Sequence, residues 1–239
     1  MAVEVAPGVW WLEGTRGCNV YLARARDGTF VLVDAAHRSS AGAIVREAHA
    51  IAGDAPVTHL LLTHRHFDHT GAAVEVARAL SARIAIGEGD CEAAPDGGRQ
   101  VVMRRGAPVP VDLAIAGRCE VAPGIEAVPA PGHTPGSMCF VAVDAGAAFV
   151  GDLVISYGDG LARAMVAANG DDGRYLETLR RFAEEAPPVG LPGHGYPVRG
   201  DFAAALRDLA DSPREPLTPR NALRRARRMM RFSTFMWMR

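Results

Sequence analysis

Four apolar stretches of this chain end in the same way. Each runs through aliphatic residues and then stops at a histidine or an aspartate. The first is LLLTHRHFDHTGA, residues 60–72, which places His64, His66, Asp68 and His69 within six positions. In PAPGHTPGS (129–137), His133 sits in a turn flanked by glycine and proline. FVGDLV (149–154) carries Asp152, and GLPGHGYPV (190–198) carries His194. Unpaired polar groups at the end of a buried strand are costly, so the pattern demands a partner that satisfies them. Neutral imidazole and carboxylate suit zinc and related divalent ions. Four such groups in the first stretch exceed what one tetrahedral ion needs while keeping an open position, which points to two metals. Each later stretch alone reads equally well as a structural turn. The four together make the case.

The remaining pattern says how these tips are carried. VWWLEG (9–14), NVYLARA (19–25) and TFVLVDA (29–35) predict three strands, with a hairpin signal at DG, 27–28. Residues 39–53 predict a helix that opens at serine and closes at glycine. VTHLLLTH is a continuous apolar run, as expected for a strand buried on both faces. A helix over 70–82 and a strand over 83–89 follow. Strands are expected again within 125–132, 137–145, 147–154 and 189–195, with amphipathic helices over 172–186 and 201–211. Residues 88–112 are rich in Gly, Pro and charge and show no sustained period, so they read as a long excursion and a candidate lid. Two β-rich halves with helices outside suggest one domain over 1–211, a sandwich of two sheets covered by helices.

Composition sets bounds on partners. Half of the 239 residues are apolar, enough for one sizeable core. No apolar run is long enough for a membrane span, and the first residues lack the basic and apolar segments of a signal peptide. Cys18, Cys91, Cys119 and Cys139 are far apart and form no CxxC pair, so they read as reduced, mostly buried thiols of a cytoplasmic protein. The net charge of −1 conceals an asymmetry: residues 220–239 hold seven arginines and no acid, leaving the rest acidic. An acidic body is poor for phosphate backbones, so no nucleic-acid partner is expected.

The motifs HRHFDH (64–69), GHTPGS (132–137), GD (151–152) and PGHG (192–195) together resemble those of the metallo-β-lactamase-fold hydrolases. The resemblance spans roughly residues 8–211, in the family's order. It implies an α/β fold, a four-layer αββα sandwich of two mixed sheets with the metals at one edge. Position by position, it assigns His64, His66 and His133 to a first metal. It assigns Asp68, His69 and His194 to a second, with Asp152 bridging both. Asp34 matches an aspartate that supports the metal loop from behind; two positions on, Ala36 stands where many relatives have glycine. Aspartate at 152 departs from the cysteine of the main zinc β-lactamases, and His66 from the glutamate of the diiron flavoproteins. The pattern looks like the glyoxalase II, lactonase and RNase Z side of the superfamily, though the chain is short for an inserted nuclease domain.

The resemblance therefore implies a hydrolase with two divalent ions, zinc foremost, although iron or manganese tolerates the same ligands. A metal-bridging hydroxide would attack the carbonyl of a small-molecule thioester, ester or lactone, and Asp68 would hold and pass the proton. The rivals are a mononuclear iron persulfide dioxygenase of the same fold, which uses only the first ligand set, and a non-catalytic binding module. Substrate contacts are less legible. Tyr157 and Ser156 follow Asp152 closely, and a phenol there would help bind an oxyanion; a packed tyrosine is the competing reading. Arg104 and Arg105 would clamp an anionic substrate, or are solvated loop charges. Residues 212–239 read as a basic amphipathic helix. It would dock on its own acidic body or on a second subunit as a homodimer, or bind anionic lipid.

Overall fold

The computed structural model describes residues 2–102 and 107–213. Arg104, Arg105 and the basic segment from residue 214 lie outside the described residues. The amino-terminal half contains β1 (Val3–Ala6), β2 (Val9–Leu12), β3 (Val20–Arg24), β4 (Phe30–Val33), α1 (Ala41–Ala52), β5 (Val57–Leu62), α2 (Phe67–Thr70), α3 (Ala73–Leu80) and β6 (Arg83–Gly87). Next come β7 (Glu92–Ala93), β8 (Arg99–Val101), β9 (Val109–Val111) and β10 (Leu113–Ile115). The second half contains β11 (Cys119–Ala122), β12 (Ile125–Pro129), β13 (Met138–Ala142), β14 (Ala147–Ser156), β15 (Leu161–Ala162), α4 (Asp172–Glu185), β16 (Val189–Gly195) and α5 (Phe202–Asp211).

Two sheets dominate. The first runs β1-β2-β3-β4-β5-β6-β10, antiparallel up to β4 and parallel beyond it. The second runs β11-β12-β13-β14-β15 antiparallel, with β16 parallel to β14. Three apolar clusters mark the interfaces between four layers. Tyr21, Val31, Val33 and Leu61 of the first sheet meet Ile125, Phe140, Phe149 and Leu191 of the second. The alternate residues Leu22, Leu32, Leu60 and Leu62 pack under Ile44 and Ala48 of α1 and Val76 of α3. Cys139, Val150 and Val154 pack under Leu179 and Phe182 of α4 and Phe202 and Leu206 of α5. The period of two along each strand thus serves two interfaces at once. Phe140 and Phe149, buried between the sheets, each contribute about 2 kcal/mol by leaving water. This is the expected αββα sandwich.

Beyond the short strands β1, β10, β11 and β15, which the sequence reading did not anticipate, the structure departs from it in two places. The expected helix over 70–82 is broken: α2 ends at Thr70 and α3 begins at Ala73. A Cβ on Gly71 would lie 2.7 Å from the Phe67 carbonyl oxygen and 2.9 Å from that of Ala36, so the chain is pressed against the β4 turn there. The excursion 88–112 is not irregular; β7, β8 and β9 form a small antiparallel sheet within it. Its Val101 and Val109 are buried in the cluster beneath α1 and α3, and β9 packs on β6 and α3. Strands of two or three residues are too short to show alternation, which is why no period was visible. The four cysteines are free thiols, Cys18 and Cys139 buried, Cys91 half-buried and Cys119 exposed. No helix among the described residues is long and apolar enough to cross a membrane.

Candidate metal centre

β5 ends at Leu62, and the chain turns immediately. His64 and His66 lie in the irregular stretch that follows, and Asp68 and His69 in the single turn of α2. His133 lies between β12 and β13, Asp152 within β14 and His194 within β16. All seven converge at one edge of the two sheets. His64, His66, His133 and Asp152 form one group of ligand-type atoms, and Asp68, His69 and His194 a second, each within 4.8 Å.

In the first group His66 Nδ1 lies 3.0 Å from His64 Nε2 and 3.0 Å from His133 Nε2. The three rings meet edge to face, with centroids 4.7 to 4.8 Å apart. In the second group His194 Nε2 is 3.4 Å from His69 Nε2 and 3.3 Å from Asp68 Oδ2. Asp152 stands between them. Its Oδ2 is 3.4 Å from His133 Nε2, and its Oδ1 is 3.3 Å from both His69 Nε2 and His194 Nε2.

The backbone is shaped for this approach. The β14–β16 register jumps on either side of Gly151, and Gly151 has φ +48. The jump bends β14 where Asp152 must leave the ladder. A Cβ on Gly193 would fall 2.6 Å from His69 Cε1 and 2.9 Å from Asp152 Oδ1, so only glycine lets the His194 strand come this close. Asp34 and Ala36 are both left-handed, at φ +62 and +54, in the turn that follows β4. The latter explains why glycine suits position 36. Alanine there holds a strained backbone, the kind of strain that accumulates beside functional sites.

Supporting hydrogen bonds decide which imidazole nitrogen faces inward. Asp34 Oδ2 is 2.8 Å from His69 Nδ1, and Asp34 also accepts from the Thr63 amide and hydroxyl. Asn169 Nδ2 donates to Asp172, so its Oδ1 faces His133 Nδ1 at 3.0 Å. His69 and His133 therefore carry protons on Nδ1 and turn Nε2 to the centre. Asp90, wholly buried, accepts from the Arg65 amide, the Thr134 hydroxyl and the Gly136 amide. It thereby ties the His64–His66 stretch to the loop of His133.

The electrostatics differ between the groups. Burial pushes the His64 pKa well below the ordinary imidazole value and lowers that of His66, and neighbouring imidazoles add to both shifts. Burial opposes a charge on Asp152 and on Asp68. The histidines around them nonetheless hold both carboxyls below their usual range, His194 and His69 at Asp152, His69 and His194 at Asp68. Burial also opposes a charge on His194, but Asp152 and Asp68 raise it to about 9. His69 is raised well above its ordinary value against the same penalty, with Cys18, Asp34, Asp152 and Asp68 around it. Burial pushes the Cys18 thiol itself to about 12, so at neutral pH the carboxylates are the partners that act.

These residues fit divalent cations. Three ring nitrogens stand 3.0 Å from their neighbours, and a proton on His66 Nδ1 can satisfy only one of its two contacts. A cation at about 2.0 Å from each nitrogen satisfies all three. Asp152 Oδ1 is buried and accepts no hydrogen bond. A cation shared with the His69 and His194 Nε2 atoms 3.3 Å away would satisfy it.

Among the weaker expectations, Ser156 is buried at the end of β14, in register with Gly195 next to His194. Tyr157 follows it, half-buried, its amide bonded to the Gly160 carbonyl. Sequence reasoning missed Thr63, Asp90 and Asn169. They belong to no motif, and only Thr63 is close in sequence to a ligand it supports.

The site and fold define a class, and the chain belongs to it: residues 14–194 match the metallo-beta-lactamase superfamily. It is 30% identical over 208 residues to a lactamase-like protein of Neosartorya fischeri, covering 84% of this chain and 54% of that protein. It is 30% identical over 207 residues to an atrochrysone carboxyl ACP thioesterase of Paecilomyces divaricatus, covering 87% of this chain and 58% of that enzyme. The chain thus spans little more than half the length of these relatives. In fold it is similar to a metallo beta lactamase from Erythrobacter litoralis, with TM-score 0.66 and 24% identity over 88% of this chain and 95% of that one.

Proposed function

We propose that this protein is a two-cation hydrolase that cleaves a thioester, with esters and lactones open to the same chemistry. The observation that carries the reading is the placement of Asp152. One of its oxygens faces the first group and the other faces the second. His64, His66 and His133 would hold one cation, Asp68, His69 and His194 the other, and Asp152 both. Zinc suits this nitrogen and oxygen set best, and iron or manganese is compatible with it. Cations bound there supply water acidified to near neutrality and a Lewis acid for the carbonyl oxygen.

The chain's own residues do the rest. Asp68 is partly exposed, its side chain 25% accessible, and histidines keep it ionised. It can accept a proton from the attacking water. The water oxygen bonds to the carbonyl carbon, the carbon–sulfur bond breaks, and Asp68 returns the proton to the departing sulfur. Products are a carboxylic acid and a thiol. Apolar side chains flank the ligands in sequence and stay exposed: Phe67 between His66 and Asp68, Tyr196 two residues past His194, Met165 and Val166 shortly before Asn169. They would offer contact area to an acyl group. The ACP thioesterase among the relatives supports the thioester as the first substrate to try.

The test is elemental analysis of the full chain purified without added metal, with a panel of thioesters, esters and lactones. Two zinc ions per chain and thioester turnover are expected. One iron per chain, no hydrolysis and oxygen consumption with a persulfide would replace this reading by the dioxygenase.

A further inference from the structure

β16 needs support that its sheet does not supply. Its pairing with β14 is interrupted between Gly151–Pro192 and Ile155–His194, so Gly193 has no partner in the ladder. Gly193 and Gly195 flank His194 and have no side chains to pack, and Gly195 has φ +97. A hinge-like segment therefore carries a ring that must stand 3.3 Å from both Asp68 and Asp152.

The missing donors come from the other sheet. The Asn19 amide N–H donates to the Gly193 carbonyl at 2.7 Å. Its side-chain Nδ2 donates to the carbonyls of Pro192 at 2.9 Å and Gly195 at 2.8 Å. Trp11 Nε1 donates to Asn19 Oδ1 at 3.1 Å. An indole nitrogen is only a donor, so this contact fixes the amide with oxygen toward Trp11 and both N–H bonds toward β16. The Tyr21 hydroxyl adds a donor to Pro192 at 2.9 Å. Three of the four carbonyls from Pro192 to Gly195 are thus held by Asn19. None of these hydrogen bonds is with His64, His66 or His133.

We propose that Asn19 is a positioning residue for the second cation: it clamps the Pro192–Gly195 backbone so that His194 meets Asp68, His69 and Asp152, and the first group does not depend on it. This rests on the two-cation reading above. The conservative variant is Asn19→Asp, which keeps the acceptor for Trp11 and removes both side-chain donors. Asn19→Ser is the second variant, should the new carboxylate prevent folding. Each full-length protein is stripped of metal and titrated with zinc against a chromophoric chelator, resolving the first and second equivalents.

Wild type is expected to bind two equivalents. In the variants the first equivalent should keep its affinity within about threefold, while the second weakens by about 10- to 100-fold, the size typical of losing a support behind a ligand. An unchanged second equivalent would overturn the Asn19 role and leave the two-cation reading standing. Equal weakening of both equivalents would also overturn it, since that is what general destabilisation produces. A wild type that binds one equivalent would sink the two-cation reading and this inference with it.

Discussion

The two halves of the site are built from different chemistry. The first is three imidazoles packed edge to face, with burial suppressing charge on His64 and His66. The second is mixed, with carboxylates from Asp68 and Asp152 around His69 and His194, and Asp34 behind. One half presents lone pairs, the other presents negative charge. They are also braced differently. Asp90 and Asn169 hold the first, Asp34 and Asn19 hold the second, and the Thr63 hydroxyl touches His64 and His69 alike. The lesson is that ligands adjacent in sequence, such as His66 and Asp68, belong to separately supported units. Asp152 joins them through its two oxygens, and the His64 and His69 rings, with centroids 4.1 Å apart, meet behind it.

The comparison can be broken most severely at that joint. Asp152→Ala should lower thioester turnover by about 10³-fold or more and weaken both cation equivalents together. Steady-state rates beside metal titration would check this; loss of one equivalent only would mean Asp152 serves one half. Next in size is Asp90→Ala. It strands the buried Gly136 amide and Thr134 hydroxyl and the part-buried Arg65 amide, and each buried donor left without an acceptor costs about 1–3 kcal/mol. Urea unfolding should show a loss of about 3 kcal/mol, with the first equivalent weakened more than the second. Asp34→Asn should act in the opposite sense. His69 loses a charged anchor, and the second equivalent should weaken by about 10- to 100-fold with the first nearly unchanged. The smallest effect is expected at Ala36→Gly. Relief of the left-handed strain, less the added freedom of the unfolded chain, should raise stability by about 0.5–1 kcal/mol without moving either equivalent.

The seven residues that converge were legible because of where they fall. A histidine or aspartate at the tip of an apolar strand announces itself, and four such tips in order carried the family resemblance that implied the sandwich. Asp34 was legible for the same reason. The braces were not. Asn19 reaches Gly195 across 176 positions and Asp90 reaches Gly136 across 46. Asparagine and aspartate in glycine-rich turns are common, and nothing local marks one that crosses between sheets. Asp90 opens the stretch 88–112, which read as an excursion without structure. Its first residues instead cross-link the site, and its short strands dock on the helix-covered face. The break between α2 and α3 was hidden too, since the apolar spacing continues through Gly71, while the Ala72 amide leaves the helical ladder and donates to the Ala36 carbonyl at 3.2 Å.

The most direct measurement follows the initial rate of thioester hydrolysis as zinc is returned, equivalent by equivalent, to metal-stripped full-length protein. The rate should be negligible without metal, climb chiefly with the second equivalent, plateau there, and disappear on chelation. Full turnover by protein shown by elemental analysis to hold no metal, or a plateau reached at one equivalent, would contradict a two-cation hydrolase.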